Sequence, residues 1–245
     1  MSKLATSWFS KRVGREVRVV RWGEVGTPVL IFPTAAGDAE ECERFLMLDV
    51  LAPMLEAGRI KVYSVDSVAG QVWLEEDNST SAGARMQNCF DAFVHQELVP
   101  AIRTDCEDPS IEIVVAGASI GAFNALAAVC RHPDVFSKAI CMSGTYDMQG
   151  FLEGEITHDY LESSPLHFLP RLEGPVLEKL RQRFIVLAHG QGRWEDPAQS
   201  WSVADALGAR GIPNRVDAWG AEWNHDWPTW RRMLPKYLDE LIARA

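Results

Sequence analysis

Ser119 lies between two glycines in Gly117-Ala118-Ser119-Ile120-Gly121, with an apolar, β-branched run at 111–116 before it and a small-residue run at 122–130 after it. The first run reads as a strand and the second as a helix. A serine on so sharp a strand-to-helix turn has the arrangement of a nucleophile elbow. Sterics explain the spacing. The serine takes a strained backbone conformation, and a glycine two positions to either side lets strand and helix approach without Cβ clashes. The hydroxyl is lifted clear of the sheet at a helix N-terminus, where the positive end of the helix dipole favours developing negative charge. The implied chemistry is nucleophilic attack through an activated hydroxyl. A tight turn of small residues without chemistry is the alternative for the same five positions.

The elements needed to hold such a turn recur along the chain. Residues 16–22 read as a first strand or hairpin arm, 28–32 (PVLIF) as a central strand and 60–65 as a strand ending at Asp66. Further strands are expected at 138–142, 184–189 and 215–219. Helical periods run over 40–57, 82–104, 203–210 and 227–243, and in 82–104 Phe90, Phe93, Val94, Leu98 and Ile102 share one side. Strand alternating with helix implies an α/β protein with a mostly parallel central sheet and helices on both faces. With the serine turn inside it, this pattern resembles the α/β-hydrolase fold, as a single domain over 1–245. Residues 146–180 are less regular and form a short insertion before the penultimate strand. Ligands of open α/β sheets bind at the carboxyl edge of the strands, so the insertion is a candidate lid. A packed surface excursion with one or two short helices fits it equally well.

A serine hydroxyl needs a base, and the base an orienting acid, which in this fold follow the nucleophile in the order acid, then histidine. Of the six histidines, His225 stands in the loop after the last strand, Gly220-Ala221-Glu222-Trp223-Asn224-His225-Asp226-Trp227. That loop is where a base can reach the elbow from the carboxyl edge of the sheet. His95 precedes the elbow, His132 closely follows its helix, His158 and His167 fall in the insertion, and His189 ends a strand. The acid belongs in Gly190-Gln191-Gly192-Arg193-Trp194-Glu195-Asp196-Pro197. Glu195 is favoured there. Asp196 is the alternative, although an Asp before Pro commonly caps the following helix. Asp147 is a third candidate. An oxyanion needs two converging N–H donors. Ile120, directly after the nucleophile, is one. Ala35, in Pro33-Thr34-Ala35-Ala36-Gly37-Asp38, is the other, with Thr34 and Ala36 as its alternatives.

Composition narrows the partners. The net charge is −10, which argues against nucleic acid and anionic membranes as ligands. The five cysteines are scattered and form no C-x-x-C, so neither a disulfide framework nor a zinc site is expected. Residues 1–15 hold no apolar signal region and no run approaches transmembrane length, so a cytoplasmic location is expected. No metal or organic cofactor is implied. A homo-oligomer is left open.

VLIFPTAAGD at 29–38, VYSVDS at 62–67, GASIGAFNA at 117–125, MSGTYD at 142–147, LAHGQGRWED at 187–196 and WNHDWPTWRRMLP at 223–235 together resemble the esterase D-like family of putative esterases. The resemblance covers about 29–241. It implies that the final-loop histidine is the base and, as in some members, that a glutamate after the penultimate strand is the acid, which supports Glu195. The oxyanion loop departs from the family's histidine- or glycine-rich versions.

Six of the nine tryptophans follow residue 190. Thr34, Trp73, Tyr146, Trp194 and Trp223 are expected around the substrate, whereas Trp219 and Trp230 fit core filling better. The expectation is therefore a serine hydrolase cleaving a small-molecule carboxylic ester through an acyl-enzyme with Ser119, His225 and Glu195. An acyltransferase or thioesterase with the same residues, and a non-catalytic binding protein of this fold, are the alternatives.

Overall fold

The computed structural model describes residues 2–35, 37–74, 80–149 and 156–242. Eight strands form one sheet: β1 (Lys3–Ser10), β2 (Arg15–Trp22), β3 (Thr27–Phe32), β4 (Ile60–Val65), β5 (Ile113–Ala118), β6 (Phe136–Met142), β7 (Phe184–His189) and β8 (Asn214–Ala218). Their spatial order is β1-β2-β4-β3-β5-β6-β7-β8. The β1–β2 hairpin is antiparallel and pairs antiparallel with β4, and every pairing from β4 to β8 is parallel.

Alternation along the strands divides the core in two. Leu30, Phe32, Ile113 and Val115 face one layer, while Val29, Ile31, Val114 and Ala116 face the other. The first layer is closed by α3 (Val68–Leu74), α4 (Thr80–Phe93), α5 (Val99–Asp105), α6 (Ile120–Arg131) and α10 (Pro197–Ala209). The second is closed by α1 (Glu41–Arg44), α2 (Met47–Glu56) and α11 (Trp227–Leu241). Both faces of β3 and β5 are therefore buried, which is why these strands read as unbroken apolar runs.

The structure departs from the sequence reading at four places. The helix expected over 40–57 is broken into α1 and α2 at Leu46, whose φ of 59° no helix accommodates. The helix expected over 82–104 widens into a π-helical segment at Val94–Leu98 before Pro100, a residue with no N–H to donate. The strand before Ser119 runs from Ile113, two residues later than expected, and reaches Ala118. The hairpin arm Lys3–Ser10 was not expected, because its exposed residues carry little apolar pattern.

The insertion contributes α7 (His158–Ser163), α8 (Pro165–Phe168) and α9 (Gly174–Leu180). Tyr160, Leu169 and Leu180 are fully buried in the first core layer, and the Asn88 side chain of α4 donates to the Asp159 carbonyl at 3.0 Å. Among the described residues, no helix is long and apolar enough to cross a membrane.

Candidate active site

Ser119 joins β5 to α6 with φ 56° and ψ −123°, a region that a residue with a side chain occupies only when its surroundings compel it. The compulsion is visible. A Cβ on Gly117 would lie 2.2 Å from the Gly121 backbone, and one on Gly121 would lie 2.4 Å from the Phe32 carbonyl oxygen. Only glycines allow β5, α6 and β3 to meet this closely. The Ser119 N–H donates to the Met142 carbonyl at 3.0 Å, and its own carbonyl accepts from Ala122 and Thr145. The end of β6 therefore holds the elbow from the side.

Ile120 is the first residue of α6, so its N–H has no intrahelical acceptor. Across the cleft, the loop after β3 is pinned by two carboxylates. Glu41 accepts from both the N–H and the hydroxyl of Thr34. Burial pushes the Glu41 carboxyl up from its ordinary range, and these two hydrogen bonds partly offset that. Asp66 accepts from Arg18 N–H on one oxygen and from Ala39 N–H on the other. With its N–H committed to Glu41, Thr34 is not a free oxyanion donor; Ala35 stands next to it. Ala36 lies outside the described residues.

The loops after β7 and β8 are zipped together. Gln191 N–H donates to Gly220, Gly192 N–H to Trp223 and His225 N–H to Arg193, at 2.9–3.2 Å, while Arg193 N–H donates to the Asn224 side chain at 2.8 Å. A Cβ on Gly190 would sit 2.0 Å from the Trp223 carbonyl oxygen. Glu195 thereby comes within electrostatic reach of His225. Burial pushes the His225 ring below its ordinary value, and the charges of Glu195 and Asp226 act against that. Asp226 caps α11, accepting from the N–H and hydroxyl of Thr229. Asp196 is exposed and caps α10, accepting from Ala198 N–H. The Asp147 charge falls on Tyr160 and His167 of the insertion instead.

The expected pocket residues separate. Thr34 shapes the oxyanion-side loop. Trp73 belongs to α3, and its ring packs against Gly83 of α4. Tyr146 is 0% exposed and faces the core beside Gly144, so it does not line an open pocket. Trp194, on the acid loop, is 74% exposed beneath the Arg193 guanidinium. Trp223 is half-buried, its ring edge-on to Trp219. An apolar cavity of about 400 Å³ lined by Leu4, Trp8, Tyr63, Leu98 and Ile102 lies under the β1–β2 hairpin, and none of these site residues lines it. His189 is buried, with Nδ1 against the Gly190 carbonyl. Among the described residues, no group of three His, Cys, Asp or Glu is placed to hold a metal ion.

Two residues outside the expected set touch Glu195 and His225. The Ser143 hydroxyl donates to Glu195 Oε1, and the Trp230 ring stands edge-on to His225 with centroids 5.2 Å apart. Sequence reading placed Trp230 in the core, where it also is, and passed over Ser143 inside MSGTYD.

The sheet order, the elbow and the loops at the carboxyl edge define an α/β-hydrolase fold, and solved structures share it across almost the whole chain. A ferulic acid esterase superposes with a TM-score of 0.73 at 17% identity, covering 97% of this chain and 96% of its own. An S-formylglutathione hydrolase from Agrobacterium tumefaciens gives 0.71 at 12%, covering 98% and 95%. A fluorophosphonate-binding serine hydrolase from Staphylococcus aureus gives 0.69 at 14%, covering 99% of each chain. No curated protein matches the sequence. The family described as "Putative esterase" matches residues 63–241, and the chain belongs to it. It is an ester-cleaving hydrolase of that family.

Proposed function

We propose that the protein hydrolyses small-molecule carboxylic esters through an acyl-enzyme on Ser119. The observation that carries this reading is Ser119 itself, held at positive φ immediately before α6 by two glycines that tolerate no side chain. A ring nitrogen of His225 takes the Ser119 proton as Oγ attacks the ester carbonyl. The tetrahedral oxyanion accepts from the N–H groups of Ile120 and Ala35. Collapse breaks the ester C–O bond, and the His225 proton leaves with the alcohol. Water then gives a proton to His225 and attacks the acyl carbon; collapse breaks the bond from that carbon to Ser119 Oγ, His225 returns the proton to Oγ, and the acid is released. Glu195 orients the ring and balances its charge, a role supported by its charge on His225 and by the capping role of Asp196.

Intact-mass labelling with a fluorophosphonate tests this. The wild type should gain one adduct and Ser119→Ala none, with ester turnover falling by at least about 10³-fold. A folded wild type without an adduct, or a fully active Ser119→Ala, would overturn the assignment. Adding an alcohol to the turnover assay separates hydrolysis from acyl transfer. Release of free acid at an undiminished rate supports the hydrolase reading.

A further inference from the structure

Ser143 follows β6 directly and is bent into the left-handed region, at φ 46°. Such a conformation is uncommon for a residue with a side chain. The backbone is clamped there by its N–H, which donates to the Ala188 carbonyl of β7 at 2.7 Å. The side chain meets two partners. Its hydroxyl donates to Glu195 Oε1 at 2.5 Å, and it accepts from the indole N–H of Trp230 at 3.0 Å.

Donor and acceptor inventory fixes the direction of this chain. An indole nitrogen can only donate, and a serine hydroxyl carries a single proton. With Trp230 buried to 4% exposure and its N–H occupying a lone pair of Ser143, the serine proton is left for the carboxylate. The same indole stands edge-on to His225 at 5.2 Å. One ring therefore touches the base with its edge and sets the hydroxyl that holds the acid. Nothing in core packing alone requires a serine at this position.

We propose that Ser143 and Trp230 are positioning residues for Glu195, forming an indole-to-hydroxyl-to-carboxylate chain that keeps the acid turned toward His225. The proposal rests on the reading of Glu195 as the acid of the triad. Without the Ser143 proton, the half-buried carboxylate is free to turn toward solvent. His225 then loses the charge that raises its proton affinity. Asp226, the other carboxylate facing the ring, stays bound to Thr229.

The test is steady-state hydrolysis of p-nitrophenyl acetate across pH by the wild type and by Ser143→Ala, Ser143→Gly, Trp230→Phe, Ser143→Ala/Trp230→Phe and Glu195→Gln. Ser143→Gly removes the hydroxyl and suits the left-handed backbone, so it keeps the test valid if Ser143→Ala fails to fold. Both Ser143 variants should lower kcat by about 10- to 100-fold with KM within about twofold. Their acid-limb midpoint should move to lower pH, in the same direction as that of Glu195→Gln. Trp230→Phe should show a smaller loss, and the double variant should be no slower than Ser143→Ala. A wild-type kcat and midpoint in folded Ser143→Gly would overturn the proposal, as would a loss of kcat with an unmoved midpoint. A fully active Glu195→Gln would instead remove the triad reading itself, an outcome separate from failure at Ser143 alone.

Discussion

His225 is held below its ordinary pKa by burial, against the opposing pull of Glu195 and Asp226. The sign of the consequence follows. A base must be neutral to accept a proton, and a depressed pKa keeps it neutral to lower pH. Activity should therefore persist below pH 6.5, the unperturbed histidine value, and fall only as pH drops through the lower folded value. A profile of kcat/KM from about pH 4 to 9 checks this, and a midpoint above the unperturbed value would contradict the burial argument. The turns and loops that carry Ser119, His225 and Glu195 were legible because their positions relative to the strands are written in the apolar pattern. Asp196 was correctly suspected as a helix cap from the proline behind it. Ser143 and Trp230 were not legible. They lie 87 positions apart, and their hydrogen bond exists only because β6 and α11 meet in space. Tyr146 misled for the complementary reason: an aromatic next to a site-bearing strand can turn inward as easily as outward.

The turns that set the site allow little substitution. Gly121→Ala would drive a methyl into the Phe32 and Pro33 carbonyls, at 2.4 and 2.7 Å, and both are backbone atoms that cannot swing aside. A loss of about 3 kcal/mol in a urea titration is expected, together with loss of turnover. Asp66 makes a second test. Its carboxylate joins β2 to the loop after β3, and Asp66→Ala leaves the Arg18 and Ala39 N–H groups without their acceptor. Stability should fall by about 1–3 kcal/mol. Because the same loop carries Ala35, kcat should fall as well, which a purely structural knot elsewhere would not produce. The strands β4 and β7 were legible to the residue because every position in them is apolar or shielded on both faces. The breaks at Leu46 and before Pro100 were not, because helical periodicity continues across them while the backbone does not.

The sheet separates stability from chemistry along the strand axis. Every proposed catalytic group lies at the carboxyl ends of the parallel strands. At the opposite end, near the start of β4, the buried Lys61 ammonium reaches the Asp105 carboxylate at 2.7 Å and its carbonyl at 2.8 Å. The Tyr63 hydroxyl donates to that same carboxylate at 2.6 Å. Asp105→Ala would strand a buried charge and should cost about 3–5 kcal/mol in chemical denaturation, with kcat unchanged at temperatures where the variant stays folded. A matched fall in kcat would show that the two ends are coupled. Most of the alternation of strands and helices was legible; β1 and α3 were not, β1 because a largely exposed edge strand shows little of a core face. The zipped loops after β7 and β8 carry the proposed acid and base, and the second leads into α11, which holds Trp230. A polypeptide leaves the ribosome amino end first. Ser119 is synthesised more than seventy residues before the groups proposed to activate it, so a chain interrupted between them carries the serine without its proposed acid and base. On the proposed mechanism, hydrolytic capacity arises only once the loop that carries His225 has been made.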